Sequence, residues 1–302
     1  MNPIRTVLCP VDFSQLSERA LQLAVEMCRR TGAHLVLQHN LDTRPPDYLT
    51  MRWMWSEEHQ PSDQQIADAA PQLIRALFRR IPKGISHEAK LTRGPLDVGL
   101  LEVARLLPAD AIVMGTHGPS TAEHHSLTER VILKAPCPVL VAGESYRPEA
   151  VFDERGEPPE EMSVLLPFDF TPHSQEALSF ALKLAEHMPH RMHLLHVAPR
   201  SESGATSQGE AGLRDRLGEL MPVELQPRVT IEVAHGDPVR RILAAADRVA
   251  ALFILMGAHG KSVLQRFLFG ATTLGVLHGS RCPVLFVPRG LDEKRPAWQM
   301  VE

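Results

Sequence analysis

The sequence predicts an α/β protein of two tandem domains, each with a doubly wound, mainly parallel sheet of five strands. Three observations lead to this prediction: the second half of the chain repeats the first, the strands are short apolar runs, and amphipathic helices separate them. Strands covered by helices on both faces lose the alternation of polar and apolar residues. The β-α-β order implies right-handed crossovers, so each copy forms one parallel sheet.

The repeat is visible in three pairs of matching blocks. The first begins with TVLCPVDFS and SVLLPFDFT and places Asp12 and Asp169 157 positions apart. The later blocks are separated by 142 and 145 positions. The matching blocks are residues 6–14 with 163–171, 112–118 with 254–260, and 135–142 with 280–287. A separation that changes only between blocks indicates one common unit with loops of different length.

Each copy is predicted to run strand, helix, strand, long connection, strand, helix, strand, loop, helix, strand. In the second copy the connection at residues 200–212 is rich in Ser and Gly, which predicts a mobile loop. The first helix of each copy carries an apolar stripe at helical spacing. The stripe comprises Leu16, Ala20, Leu23, Ala24 and Met27 in copy one and Ala177, Phe180, Ala181 and Leu184 in copy two.

An acidic segment joins the copies. Between Glu144 and Met162 there are seven acidic residues, two arginines and three prolines, a composition that cannot form a core and is expected to lie exposed. We therefore predict a first domain at residues 1–145, a linker at 146–161, a second domain at 162–290 and a C-terminal tail at 291–302.

Composition excludes several classes of function. The net charge of −4 provides no basic field for nucleic acid or an anionic membrane surface. The sequence contains no run of about 18 apolar residues, so no membrane span is predicted. The first strand begins at Ile4, which leaves no room for a signal peptide, and the four cysteines lack disulfide-like spacing. We expect a cytoplasmic protein without nucleic-acid or membrane partners.

Two aspartates stand where the first strand of each copy ends. Asp12 and Asp169 each precede a helical stripe. In an open α/β sheet, ligands bind at the carboxyl ends of strands near the topological switch point, so these acids could contact a base or a ribose. An aspartate before a helix is also a common N-cap. The sequence leaves both interpretations open, and they are compatible.

A glycine-spaced loop follows the fourth strand of copy two. Gly257 and Gly260 are followed after nine residues by Gly270, where a helix is predicted to begin. Glycines let a backbone approach a phosphate, and a helix N-terminus offers unpaired N–H groups and a positive dipole end. No acidic residue lies between positions 257 and 279, whereas Lys261 and Arg266 add positive charge. The segment therefore has the electrostatic sign for an anion.

The G-x2-G-x9-G spacing, the CPVL strand and the PxD strand end resemble the universal stress protein family over nearly the whole chain apart from linker and tail. The resemblance implies Rossmann-like domains, with ATP held in some members between the first strand end and the glycine loop. It implies that adenine, ribose and phosphates meet the following residues of copy two: Pro167, Phe168, Asp169, Phe170, Thr171, Val197, Gly236, Met256, Gly257, His259, Gly260, Gly270, Ala271 and Thr272. The family usually has Ser or Thr where Ala271 stands, so Thr272 would have to supply that hydroxyl.

Copy one departs further from this pattern. Gly115 and Gly118 are kept, but the spacer is three residues shorter and His125 replaces the third glycine. The spacer contains Pro119 and Glu123 and neither Lys nor Arg. We expect such a loop to hold a triphosphate poorly. Copy one is therefore predicted to be a degenerate, structural partner of copy two.

The functional hypothesis is a stress-response regulatory module that binds ATP, or another adenine nucleotide, in copy two; Mg²⁺ as its companion is left open. We expect no strong catalysis, because no base or nucleophile is visibly positioned. A slow ATPase or nucleotide-transferring enzyme relying on Asp169, and a nucleotide-free interaction scaffold, remain alternatives. The resemblance also implies that the domains pair through Pro138–Ala142 and Pro283–Val287, and it leaves homodimerisation open.

Four histidines of copy two invite a metal interpretation. His187, His190, His193 and His196 are spaced three apart, but Pro189 interrupts the helix and the last two fall on a strand. They cannot share one helical face, so the sequence favours core or surface histidines, and no metal site is predicted.

Overall fold

The structure is a computed structural model, and it describes residues 4–40, 63–116, 127–151, 163–187, 191–198, 207–258, 270–288 and 291. The chain divides into two units, with the division between Ala142 and Gly143. Within the described residues, each unit contains five strands alternating with four α-helices.

The first unit begins with a strand and alternates strictly. Its elements are β1 (Thr6–Pro10), α1 (Gln15–Thr31), β2 (His34–Asn40), α2 (Asp63–Phe78), β3 (His87–Thr92), α3 (Leu96–Leu106), β4 (Ala111–Gly115), α4 (Leu127–Lys134) and β5 (Val139–Ala142). The second unit repeats the order. Its elements are β6 (Ser163–Pro167), α5 (Pro172–His187), β7 (Arg191–Ala198), α6 (Ser207–Glu219), β8 (Val229–His235), α7 (Pro238–Arg248), β9 (Ala251–Gly257), α8 (Ala271–Gly279) and β10 (Val284–Val287).

All neighbouring strands within a unit run parallel. The order is β3-β2-β1-β4-β5 in the first unit and β10-β9-β6-β7-β8 in the second. The first strand of each unit lies centrally, and the chain adds strands on one side of it before crossing to the other. This reversal places the topological switch point between β1 and β4, and between β6 and β9. The predicted fold class, tandem Rossmann-like α/β domains, is confirmed.

The apolar runs form the core of each unit. Every residue of β4, β5 and β10 is buried, as expected for parallel strands covered on both faces. In α1 the predicted stripe is shifted: Leu16 and Met27 are only partly buried, whereas Leu21 and Cys28 are buried. The predicted stripe of α5 is buried throughout. No helix in the described ranges has the length and hydropathy needed to cross a bilayer.

Two helices lie in the segments that the sequence predicts as long connections. They are α2 and α6, and α6 begins at Ser207, so the mobile loop expected at residues 200–212 is wrong for its second half. The composition of α6 is mostly polar, with few apolar residues at helical spacing, and α2 contains Pro71 in its interior. Both features weaken the sequence signal for a helix.

The start of the acidic segment is not exposed as expected. Tyr146 and Val151 are 0% and 1% exposed, and the Arg147 N–H donates to the Arg281 carbonyl at 3.0 Å. Residues 143–151 therefore belong to the second unit, whose Arg281 holds them. The buried side chains of Tyr146 and Val151 and one backbone hydrogen bond hold the start of the segment against the second unit. The polar composition predicts exposure only for the segment as a whole.

The last two helices of the units pack by different means. In the second unit, a Cβ on Gly275 would lie 2.8 Å from Val239 Cγ2, and one on Gly279 would lie 2.6 Å from Leu243 Cδ1, so α7 and α8 touch closely. In the first unit the positions of these glycines hold Arg130 and Lys134, which approach Asp97 Oδ2 at 3.3 and 3.7 Å. The second unit thus joins these helices by close apolar contact, and the first by an ionic one.

We predict that Gly275→Ala lowers the free energy of unfolding by about 1–2 kcal/mol, because overpacking against Val239 outweighs the gain in helix propensity. The matched control is Gly212→Ala in α6, where an added Cβ meets nothing within 4 Å. We expect that control to raise stability by up to about 1 kcal/mol. Urea denaturation followed by circular dichroism measures both. Equal stabilisation by the two variants would contradict the close contact.

Candidate functional site

The turn after β6 closes around a carboxylate. Asp169 Oδ1 accepts hydrogen bonds from the Thr171 backbone N–H at 3.1 Å and from the Thr171 hydroxyl at 2.6 Å. The Thr171 hydroxyl oxygen accepts from the Ser174 N–H at 3.3 Å, in the position of an N-cap for α5. Thr171 caps the helix, so the interpretation of Asp169 as an N-cap is wrong. Asp169 instead fixes the turn that carries the capping residue.

The first unit builds the same turn. Asp12 Oδ1 accepts from the Ser14 N–H at 2.9 Å, and the Ser14 hydroxyl oxygen accepts from the Ser17 N–H at 3.1 Å as the N-cap of α1. Asp12 is therefore not the N-cap either. The geometry is shared by both copies, although their first strands differ in sequence.

Each turn contains a phenylalanine with left-handed backbone geometry. Phe13 has φ 64° and Phe170 has φ 61°. This region is uncommon for a bulky residue and costs on the order of 1–3 kcal/mol, so the surroundings must hold it in place. The Phe170 ring packs at 5.1 Å from the ring of Phe168, and the Arg216 guanidinium carbon lies 4.6 Å from its centroid.

A histidine from the second strand holds each turn. His196 Nδ1 donates to the Phe168 carbonyl at 2.7 Å, and His39 Nδ1 donates to the Val11 carbonyl at the same distance. Since a carbonyl oxygen only accepts, the Nδ1 of both rings carries a proton. Burial lowers the pKa of His39, against the opposing effects of its bond to Val11 and the nearby Asp12 carboxylate. This shift favours the neutral His39 ring, which still donates from Nδ1.

A cavity of about 210 Å³ lies in the second unit at the carboxyl ends of the strands. It is bounded by the ends of β6, β7 and β9 and by the first turns of α5, α7 and α8. This is the switch point between β6 and β9, where ligands bind in open α/β sheets.

Nine of the residues that the sequence assigned to the site line this cavity. They are Pro167, Phe168, Asp169, Thr171, Val197, Met256, Gly257, Gly270 and Thr272. Three others lie outside its lining: Phe170, Gly236 and Ala271. Phe170 lies in the turn after β6, and its ring packs against Phe168 and His196, whereas Gly236, with φ 116°, forms the bend between β8 and α7. His259 and Gly260 lie outside the described residues.

Six further residues that the sequence did not predict line the cavity. They are His173, Ser174, Leu195, Pro238, Ile242 and Thr273. Leu195 stands two positions before Val197 and so shares its face of the strand, a periodicity that the sequence contains. Pro238 and Ile242 are four apart on α7, whose place beside the cavity follows from sheet order and not from any local motif.

The amino end of α8 faces the cavity, and no described side chain caps it. Gly270 is its N-cap residue, with φ −69° and ψ 153°, and the first turn contains no acid. These angles are open to any residue, and a Cβ on Gly270 would meet nothing within 4 Å. Within the described parts of the chain, neither backbone conformation nor packing therefore requires glycine here. The first N–H groups of a helix have no partner within it, and they form a positive pole at the cavity.

The corresponding place in the first unit is polar. Gln38 and Leu195 both pair in register with the proline that ends the first strand of their unit. Gln38 Nε2 donates to the Thr92 hydroxyl at 2.6 Å, and that hydroxyl donates to Asn40 Oδ1 at 2.5 Å. Asn40 Nδ2 then donates to the Gly94 carbonyl at 2.8 Å. Polar side chains bonded to one another thus stand where the second unit has the apolar walls Leu195 and Val197.

The histidines of β7 have partners of other kinds than metal. His193 is 3% exposed, and its Nε2 lies 2.6 Å from Glu232 Oε2, while His196 bonds to a backbone carbonyl. Hydrogen bonds from Arg248 and His193 lower the pKa of Glu232 against the effect of its partial burial. In the described parts of the chain, no group of three or more His, Cys, Asp or Glu side chains could hold a metal ion.

Comparison with known proteins places the chain in a family. A sequence model of the Universal stress protein family matches residues 3–143 and 162–288. The match covers most of the chain, once per unit. The chain therefore belongs to the universal stress protein family and is a tandem member of it, which confirms the resemblance inferred from the glycine spacing.

Relatives match either most of the chain or about one of its two units. Universal stress protein Rv2005c of Mycobacterium tuberculosis is 23% identical over 265 residues, covering 83% of this chain and 84% of that protein. Universal stress protein Sll1654 of Synechocystis is 27% identical over 143 residues, covering 45% of this chain and 84% of that protein. A universal stress protein structure from Archaeoglobus fulgidus has a TM-score of 0.66 at 20% identity, covering 95% of this chain and 97% of that one, and it supports the fold alone.

We predict that Thr171→Val lowers the free energy of unfolding by about 1–2 kcal/mol, because it removes the cap of α5 and the hydroxyl that donates to Asp169. Thr171→Ser keeps the oxygen and should stay within about 0.5 kcal/mol of the wild type. Chemical denaturation of the three proteins measures the difference. If the Val variant is as stable as the Ser variant, the capping role is refuted.

Proposed function

We propose that the second unit binds an adenine nucleotide, ATP foremost, in the cavity between the ends of β6 and β9. On this proposal the chain is a nucleotide-dependent regulatory module of the stress response. The observation that carries the proposal is the meeting of two distant sequence features in one cavity: the turn around Asp169 and the uncapped end of α8 at Gly270.

The apolar part of the cavity lining suits a purine base. Leu195, Val197, Ile242 and Met256 supply apolar surface from two strands and one helix. Ligand pockets of this kind combine apolar walls with a few placed polar groups. Here the polar groups come from the turn after β6, where Asp169 lines the cavity and can accept from a base amine or a ribose hydroxyl.

The opposite end of the cavity suits phosphates. The first N–H groups of α8 are unpaired within the helix and carry the positive end of its dipole, which favours an anion. Gly270 adds no side chain that would keep a phosphate away. Thr272 lines the cavity whereas Ala271 does not, which supports Thr272 as the residue that supplies the hydroxyl usual in the family.

The dimensions support a division of the ligand between the two ends. The volume of about 210 Å³ is below the roughly 300–1,000 Å³ typical of pockets that bury a drug-sized ligand. We therefore place base and ribose inside and the phosphate chain at the mouth, along the end of α8. Asp169 is the one carboxylate among the described lining residues, so Mg²⁺ would be held chiefly by phosphate oxygens.

The lining supports binding rather than strong catalysis. Among the described lining residues there is no Lys, Arg or Cys, and Asp169 Oδ1 already accepts two hydrogen bonds that fix its turn. A catalyst of phosphoryl transfer needs a positioned base and charge stabilisation at the phosphates. The proposed role of bound nucleotide is therefore to change the state of the module rather than to be consumed.

The test separates phosphate binding from folding at one position. Gly270→Asp supplies a good N-cap, so it should keep or raise the unfolding temperature, yet it places a carboxylate where phosphate binds. We expect the Kd for ATP, measured by calorimetry, to rise about tenfold or more, and the Kd for adenosine to change less than about threefold.

Gly270→Asn is the matched control, since it caps the helix without charge. We expect it to weaken ATP binding clearly less than the Asp variant does. If Gly270→Asp binds ATP like the wild type, the phosphate site lies elsewhere. Wild-type protein that binds neither ATP nor adenosine, and that shows no co-purifying nucleotide by native mass spectrometry, would indicate a scaffold. Multiple-turnover ATP hydrolysis that Asp169→Ala abolishes would instead indicate an ATPase.

A further inference from the structure

His196 makes a contact that both units repeat. In each unit the second-strand histidine donates from Nδ1 to the carbonyl two residues before the left-handed phenylalanine, at 2.7 Å. The same ring packs on that phenylalanine, with centroids 4.8 Å apart for His39 and Phe13 and 5.2 Å apart for His196 and Phe170. The residues that receive the bond differ, Val11 in one unit and Phe168 in the other. The shared parts are thus the histidine, the aromatic residue and its backbone conformation.

Hydrogen bonds hold the backbone on both sides of the strained residue Phe170. On one side of Phe170, the His196 N–H fixes the carbonyl of Phe168; on the other, Asp169 Oδ1 fixes the N–H of Thr171. A phenylalanine left to itself prefers negative φ. Rotation of Phe170 to that region would reorient the peptide groups on either side of it and turn the Asp169 carboxylate out of its present direction.

His196 itself does not line the cavity, but Phe168, Asp169 and Thr171 do. The contacts of His196 with Phe168 and Phe170 connect it to the turn that lines the cavity. We propose that His196 is a positioning residue of the ligand site: by holding Phe170 left-handed, it keeps Asp169 at the wall that receives the base and ribose. This inference rests on the proposed function and adds the residue that prepares the site.

The test replaces the donor and keeps the ring. His196→Phe removes the Nδ1–H and retains aromatic packing on Phe170, whereas His196→Asn retains an N–H donor near the Nδ1 position. We expect His196→Phe to raise the Kd for both ATP and adenosine about tenfold, and His196→Asn to stay within about threefold of the wild type. Loss of adenosine binding distinguishes this effect from that of Gly270→Asp, which acts on the phosphates.

The first unit supplies the matched control. His39→Phe removes the same hydrogen bond from the same kind of turn, in the unit that is predicted to be degenerate. It should lower the unfolding temperature and leave the Kd for ATP within about twofold of the wild type. A role of His196 in stability alone would make the two variants alike in ATP affinity, and equal affinities would overturn the proposal.

A double variant, Phe170→Gly with His196→Phe, tests the backbone strain directly. It also provides a test if the single variant His196→Phe folds poorly. Glycine adopts positive φ without strain, so Phe170→Gly should make the support from His196 dispensable. In that background we expect His196→Phe to change the Kd for adenosine less than about threefold. An undiminished tenfold loss in the Phe170→Gly background would overturn the proposal. If the wild type binds neither ATP nor adenosine, the proposed function itself fails, which is a different result.

Discussion

The geometry of the second unit's cavity depends on one backbone conformation, the left-handed Phe170. This residue reverses the chain between the end of β6 and the start of α5, so that a strand-end carboxylate and a helix cap stand within two residues of each other. Three separate groups hold it: the Asp169 carboxylate, the His196 ring and the Arg216 guanidinium. None of them is strong alone, because a single hydrogen bond or cation–π contact contributes on the order of 1 kcal/mol. Together, contributions of this size match the cost of a left-handed phenylalanine, which is on the order of 1–3 kcal/mol.

Duplication kept this turn twice and let the rest of the site diverge. The first unit retains Asp12, Phe13 and His39 in matching contacts, yet it carries Gln38 and Asn40 where the second has Leu195 and Val197. The turn therefore serves the fold wherever it occurs, since it links the central strand to its helix. The units differ in the wall beside the turn. In the first unit this wall consists of polar side chains that are hydrogen-bonded to one another, and in the second unit it is apolar. A ligand entering the first unit would have to displace hydrogen bonds that the polar residues already make among themselves.

The sequence predicted the fold well because its signals are repeated. Two copies with matching strands and CPVL ends fix the element order, and the parallel order then places the switch point. Nine of the residues that line the cavity could be named in advance, because they lie in the matching motifs or follow from the family resemblance. Pro238 and Ile242 could not, since a residue of α7 reaches the cavity only through sheet order. The polar helix α6 was missed because tertiary contacts, such as those of the buried Leu217, stabilise it more than periodicity does. Left-handed phenylalanines carry no sequence signal, because the residue type argues against the conformation they adopt.

The contact between the last two helices of each unit determines how that helix pair responds to ionic strength. In the first unit it includes Arg130 and Lys134 against Asp97, with side chains 34%, 59% and 11% exposed. Charges with that much contact with water are screened by dissolved ions, increasingly so as the Debye length falls below about 10 Å. In the second unit, the contacts at Gly275 and Gly279 are made with the apolar side chains of Val239 and Leu243. Rising ionic strength should therefore weaken the ionic contact between the helices of the first unit, whereas the apolar contacts at the two glycines of the second unit have no charge to be screened.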